Sequence, residues 1–190
     1  MTADARERLV ALLAPHRATD AKERADLERM LGFARALADP FSRAQPEAHF
    51  TGSAVVVDPP GARVCLVHHG RLHRWLQPGG HAEPGDEGAM EATALREARE
   101  ETGCRVTLAP RVPVPLDVDV HEIPARPGEP AHLHLDVRVL AIAEDPDALA
   151  HDPNESTGAQ WLGWNAALAR VTDAALVRLL TKARALATIG

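Results

Sequence analysis

Apolar residues recur at helical spacing in three stretches of the chain and at strand spacing in several others. Leu9, Leu12 and Leu13 form one stripe across residues 4–14, and Leu27, Met30, Leu31, Ala34 and Leu37 form another across 20–38. Both patterns predict amphipathic helices. Pro15 and Thr19-Asp20 separate the two, and Asp39-Pro40 stops the second, because the residue before a proline is pushed out of the helical region. A loop through Pro46 leads to a first strand near His49–Val57. Further strands are predicted at Arg63–His68, Arg74–Leu76, Arg105–Leu108, Leu116–Ile123 and His132–Ile142, with a loop at Pro124–Pro130. The last helix is predicted over Val171–Thr188, with Leu176, Leu179 and Leu180 inward and Thr172 or Asp173 as its cap. No repeat or low-complexity tract interrupts this order, which predicts an α/β fold with a mixed sheet between helices. Residues 1–48 read as an N-terminal helical extension and 49–190 as the main domain.

Composition narrows the possibilities without choosing among them. The 190 residues are 45% hydrophobic, enough for one substantial core and too few for two full domains. A net charge of −6 supplies no basic footprint for nucleic acid, and no apolar run approaches the ~20 residues needed to span a bilayer. With only two cysteines, Cys65 and Cys104, and no apolar secretory leader at its start, the chain suits a reducing cytoplasm, with the thiols free.

Candidate chemistry concentrates in Arg96-Glu97-Ala98-Arg99-Glu100-Glu101-Thr102-Gly103. On a helix, Glu97, Glu100 and Glu101 fall within an arc of roughly 100°, where like charges at these spacings repel. Such crowding makes sense if hard cations sit among the oxygens, as magnesium does between carboxylates and substrate phosphates. Taken alone, the run would equally describe a solvated face laced with ion pairs. It does not stand alone: Gly79-Gly80, read as a turn, the loop His81–Asp86, the acidic helix and Gly103, which fits a helix C-cap, follow in order.

From Gly80 to Cys104 the chain resembles the signature of the Nudix hydrolases, Gly-x5-Glu-x7-Arg-Glu-U-x-Glu-Glu-x-Gly-U with U a bulky aliphatic. The resemblance implies a Nudix-like α/β/α sandwich, a bound divalent metal and cleavage of a diphosphate linkage. Carried over position by position, it implies that the Gly80 carbonyl, Glu97, Glu100 and Glu101 hold Mg2+ or Mn2+, and that Arg96 orients carboxylates. The sequence departs from the pattern in three ways: Asp86 replaces the first Glu, nine residues (87–95) precede Arg96, and Ala98 and Cys104 occupy the aliphatic positions. The two extra residues belong to Glu87–Thr93, and Asp86 becomes a candidate helix cap instead of a loop support.

Hydrolysis also needs a base to take the proton from water. Glu97 is one candidate, and Asp152 and Glu155, in the turn-rich segment 151–156, are others, although that segment also reads as a solvated loop. The polar faces Asp117/Asp119/His121 and His132/His134/Asp136/Arg138 could line a cleft or face solvent. Ten histidines raise a zinc reading, but His132-x-His134 lacks the cysteine partners or His-Glu-x-x-His helix that would make it specific, so no zinc site is expected. Trp75, Trp161 and Trp164 could stack on a base, although burial is commoner. The function expected is hydrolysis of a nucleoside diphosphate linked to another moiety, by a protein compatible with homodimerisation. The alternatives are a noncatalytic nucleotide-binding sensor and an isoprenoid diphosphate isomerase using Cys65, a residue whose apolar strand equally suggests a packed thiol.

Overall fold

A computed structural model of the chain describes residues 3–86 and 88–187. Helices α1 (Ala3–Leu13) and α2 (Ala21–Ala36) precede strands β1 (Ala48–Val57), β2 (Arg63–His69), β3 (Arg74–Leu76) and β4 (Gly79–His81). Helix α3 (Met90–Thr102) follows, then β5 (Val106–Leu108), β6 (Asp117–Ile123), β7 (His132–Ala143), β8 (Ser156–Gly163), α4 (Trp164–Arg170) and α5 (Ala174–Ala187). The eight strands make one mixed sheet whose main path runs β3-β2-β1-β7-β5, with β4 on β1, β6 on β7 and β8 on β2.

The centre of the sheet is a parallel pairing of β1 with β7 that runs from Ala48↔Leu133 to Val57↔Ile142. Both faces of this pair are covered, so every residue of β1 is buried. Ala54, Val56, Val139 and Ala141 pack against Ala94 and Ala98 of α3, while Phe50, Leu135 and Val137 meet Leu9, Leu13, Met30 and Ala34 of α1 and α2. On the opposite face, Val55, Val57 and Leu140 pack beneath Trp164, Leu176, Leu179 and Leu180 of α4 and α5. The result is the helix–sheet–helix sandwich anticipated from the pattern. Gly52 allows the close approach of α3: a Cβ there would lie 2.7 Å from the Met90 carbonyl oxygen and 2.9 Å from the Ala94 nitrogen.

Several local expectations change. Gly79-Gly80 is part of a strand instead of a turn, paired with Ser53 and Gly52 across a gap so narrow that a Cβ on Gly79 would fall 2.3 Å from that of Ser53. The strand β8 and helix α4 did not show in the pattern, since β8 is half-buried and α4 only seven residues long. Helix α5 starts at Ala174, where the Leu176 N–H donates to Asp173 Oδ1 at 2.8 Å. Glu87, within the span expected to absorb the extra residues, and Thr188, at the expected end of the last helix, lie outside the described residues.

The polar strand faces are largely buried: Asp117, Asp119, His132, Asp136 and Arg138 are shielded from water, His134 is half-buried and His121 is exposed. Arg138 is buried and donates to Asp136 at 2.8 Å and Asp119 at 3.0 Å. Arg178 of α5 grips Asp117 through two bonds of 2.8 and 2.9 Å, and Lys22 of α2 reaches Asp119 at 2.6 Å. Buried Glu23 of α2 accepts from Lys182 of α5 and bonds His16 Nε2 at 2.7 Å. Helices from both ends of the chain are thus tied to the β6–β7 edge by paired charge.

That network fixes the sign of the response to acid. Burial pushes the Asp119 and Glu23 carboxyls up, but bonds from His121, Arg138 and Lys22 to the first, and from His16, Lys182 and Thr19 to the second, outweigh it and hold both well below the usual range. A depressed folded-state pKa contributes stability that is present above the unfolded value, near 4, and is lost as pH falls through the folded one. The share of stability that Asp119 and Glu23 supply should therefore be full from neutrality to about pH 5 and be lost steadily below it, as a fall in melting temperature. A melting temperature unchanged down to pH 3 would show that these pairs contribute nothing.

Candidate functional site

The C-terminal half of α3 and strand β4 lie side by side because both strand glycines lack side chains. A Cβ on Gly80 would sit 2.5 to 2.6 Å from the carboxyl atoms of Glu97, so glycine is what lets this carboxylate rest against the strand. One turn on, Glu101 Oε1 accepts the Gly79 N–H at 2.7 Å. Gly103 ends the helix in the left-handed conformation at φ 69°, with its N–H bonded to the Arg99 carbonyl.

Arg96 ties the assembly together. Its guanidinium donates to Asp86 at 3.0 and 3.2 Å, to the His81 carbonyl at 2.7 Å, and to Glu97 and Glu100 at 3.0 Å each. Asp86, buried in a 3-10 turn over Pro84–Asp86, also accepts from the Glu83 N–H and the Thr93 hydroxyl, both at 2.9 Å. It therefore braces the loop against the helix and does not cap it; the N-cap position belongs to Ala89, which makes no side-chain cap bond. The loop support arises although the residue is an Asp and the spacing is longer by two.

Glu97, Glu101 and Glu155 each offer an oxygen, all within 4.8 Å of one another, a spacing suited to a shared divalent cation. Glu155 arrives from the turn before β8, held where the Gly70 N–H donates to its carbonyl at 2.9 Å. Glu100 lies outside this group: its side chain is 55% exposed and bonded to Arg96. Asp152 instead closes its own turn, accepting from the Asn154 backbone at 2.8 Å and side chain at 2.9 Å.

The electrostatics of the group are those of crowded acids. Burial pushes the Glu101 carboxyl up to about 8, against the Gly79 N–H, and the charges of Glu155, Glu97 and Asp152 push in the same direction. Burial also raises Glu97, opposed by Arg96 and reinforced by Glu100 and Glu155. Because the folded value of Glu101 exceeds its ordinary one near 4.5, its contribution to stability is present below that value and is lost as pH rises toward 8. In EDTA at pH 8, Glu101→Gln, which keeps an oxygen for Gly79, should melt several degrees above the wild type, and at pH 4 the two should coincide. Equal melting temperatures at pH 8 would mean that the carboxylate is not penalised.

A cavity of about 800 Å³ is lined by Phe41, Arg43, Ala82, Glu83 and residues of α1 and by none of the three carboxylates; Glu83, 4.0 Å from Arg96, is its link to them. Its volume suits a small organic ligand. Phe41 and Arg43 carried no sequence signal, because their loop acquires meaning only where it meets the segment after β4. On the sheet face away from α3, His49, His81, His132 and His134 cluster. Burial lowers His49 to about 4 and His81 to about 3, so these rings are neutral near pH 7. Cys65 and Cys104 are both buried and free, and burial holds the Cys65 thiol far above its ordinary pKa within a core of aliphatic residues. Trp164 donates to the Gly61 carbonyl at 2.9 Å and Trp161 to that of Pro146 at 2.9 Å; Arg170 stacks on Trp75.

Comparison with known proteins points one way. A family model described as the NUDIX domain matches residues 48–181. A C. elegans Ap4A hydrolase, solved as a binary complex, superposes with a TM-score of 0.54 at 20% identity, covering 72% of this chain and 95% of that one. A NUDIX-family hydrolase from Clostridium perfringens gives 0.54 at 23% identity, covering 74% and 98%. At these identities the likeness is one of fold. No curated protein sequence matches the chain. Among the described residues, no helix is long and apolar enough to cross a membrane.

Proposed function

The chain belongs to the NUDIX domain family, and on that premise we propose that it is a divalent-metal-dependent hydrolase of a diphosphate linkage joining a nucleoside to another moiety. The observation that carries the reading is the convergence of Glu97, Glu101 and Glu155 beside a glycine strand, three carboxylates within 4.8 Å with a raised pKa at their buried member. Hard oxygen donors of this kind fit Mg2+ or Mn2+, with the Gly80 carbonyl as a further donor. A cation held there lowers the pKa of its water and offsets the charge of the diphosphate.

The chain's own groups do the remaining work. Arg96 orients Glu97 and, through Asp86 and the His81 carbonyl, fixes the loop against α3, so the carboxylates are set before substrate arrives. Glu155, on a loop and outside the helix, would give one oxygen to the cation and is the base we assign, through its other oxygen, to take the proton of the attacking water; Glu97, clamped by Arg96, is less free to do so. Glu100 braces Arg96. Phe41 and Arg43, in a cavity that reaches the site through Glu83 beside Arg96, would offer an aromatic face and a positive charge to the part of the substrate beyond the scissile bond. Residues 1–48, of which α1 and the loop after α2 help line that cavity, act as an extension to the hydrolase domain.

The substrate is settled by assaying ADP-ribose, a dinucleoside polyphosphate, an oxidised nucleoside triphosphate and a nucleotide sugar with Mg2+, Mn2+ and EDTA. Release of a nucleoside monophosphate or phosphate from at least one, abolished by EDTA, supports the proposal. No hydrolysis of any compound with either metal overturns it.

A further inference from the structure

The histidine cluster has no place in this chemistry, and it carries a feature that paired polar groups do not. The parallel register sets His49 of β1 beside His134 of β7, and His132 lies two residues before His134 on the same face. Ring centroids are 4.9 Å apart for His49–His132, for His49–His134 and for His81–His134. His49, His132 and His134 each present a ring nitrogen, all three within 4.8 Å of one another.

Among the described residues, the buried side-chain atoms left without a hydrogen-bond partner are His49 Nδ1, His49 Nε2 and His132 Nε2. His49 is 1% exposed and His132 6%. An unsatisfied buried polar atom costs about 1–3 kcal/mol, so three in one place call for a shared partner. His132 also shows which partner suits it. Its Nδ1 lies 2.9 Å from the Pro130 carbonyl, an acceptor, so Nδ1 carries a hydrogen and Nε2, 3.8 Å from the Glu129 carboxylate and without a hydrogen bond, is the nitrogen left to meet a metal. A backbone carbonyl that fixes the tautomer in this way is the usual outer support of a metal-binding histidine.

We propose that His49, His132 and His134 form a binding site for one transition-metal dication, with zinc the best fit, and that its fourth position faces His81. Three imidazoles match zinc in ligand type and number, whereas Mg2+ prefers the oxygen set on α3. A tetrahedral ion at 2.0–2.1 Å from each nitrogen would draw the nitrogens to about 3.4 Å apart, a closure that side-chain rotation supplies. By strand alternation, the site opens on the face away from α3, so the two centres lie on opposite faces of the sheet, with β4 carrying both Gly80 and His81. His132-x-His134 has no zinc partner close to it along the chain; the missing ligand is His49, supplied by the β1–β7 register.

Cobalt(II) is the probe, since its visible absorption reports coordination by nitrogen in a tetrahedral field. One equivalent of the cobalt taken up should give an intense visible band that Zn2+ displaces, any further cobalt on the carboxylates adding only weak absorption. The band should persist in Glu101→Gln, which alters only the carboxylate centre. In His132→Ala and His134→Ala, affinity should fall by more than the ~10–100-fold that loss of an outer-shell partner costs. Circular dichroism identifies a variant that fails to fold, and the other variant then decides. No band in the wild-type protein overturns the site, whether or not the protein hydrolyses diphosphates. So does a band lost in Glu101→Gln and retained in both histidine variants.

Discussion

Glu97→Gln and Glu101→Gln should each reduce turnover by roughly 10³-fold or more with the helix still folded, the scale on which removing one electrostatic stabiliser of a transition state is felt. Gln preserves shape and one oxygen, so the amide introduced by Glu101→Gln can still accept the Gly79 N–H. What it removes is the charge that attracts a cation. Diphosphate hydrolysis offers little covalent chemistry to a protein, and positioning and charge carry nearly all the catalysis, so losing a metal-binding carboxylate removes most of the rate. Glu100→Gln provides the contrast. Its carboxylate is solvent-facing and bonded to Arg96, so the loss should be about tenfold or less, the value of one exposed charge pair. Steady-state kinetics on the best substrate, with circular dichroism to check folding, measures all three. A Glu100 variant as inactive as the Glu101 variant would restore Glu100 to the metal-holding set and displace Glu155 from it.

The second large effect concerns stability. Arg138→Met should cost about 3–5 kcal/mol, the penalty for breaking a buried ion pair from one side. Asp117 would retain Arg178 and Lys182, and Asp119 would retain Lys22. Asp136 would be left with the hydroxyls of Ser53 at 2.8 Å and Thr51 at 3.2 Å, and no positive charge. The cost arises mainly from the uncompensated acid. Adding Asp136→Asn to Arg138→Met should therefore recover part of the loss, a coupling that independent sites would not show. Urea unfolding of the two single variants and the double variant tests this. A loss below ~1 kcal/mol in Arg138→Met would place the network among exposed pairs of little consequence. Against total stabilities of about 5–15 kcal/mol, the expected loss would leave the variant near its folding limit.

What the sequence revealed of this fold follows from the range over which each signal acts. The stripes of α1, α2 and α5 and the alternation of β6 and β7 are local, and the structure places those elements within a few residues of the expected bounds. Gly103 reads as a cap because the left-handed conformation it adopts is a property of the residue itself. Gly79 and Gly80 did not reveal their strand, because a turn and a close approach both demand glycine and only the neighbour, Ser53 or Glu97, distinguishes them. Among the acids, Glu97 and Glu101 share a helix and could be paired by counting, whereas Glu155 reaches them by a fold-level route. The buried salt-bridge network and the histidine cluster show the same limit. Lys22 meets Asp119 across 97 residues and His49 meets His134 through the pairing of two distant strands, so a periodicity that correctly groups Asp117, Asp119 and His121 says nothing about what covers them.

The central claim is that carboxylates on α3, with Glu155, hold a hard divalent cation, and its most direct test is calorimetric titration of Mg2+ into the wild-type protein and Glu101→Gln at pH 8. Imidazoles do not compete for Mg2+, so the signal belongs to the oxygen site. Saturable binding in the wild type, weakened at least tenfold by Glu101→Gln, is the predicted result. Equal binding by both proteins, or no binding by either, would contradict it.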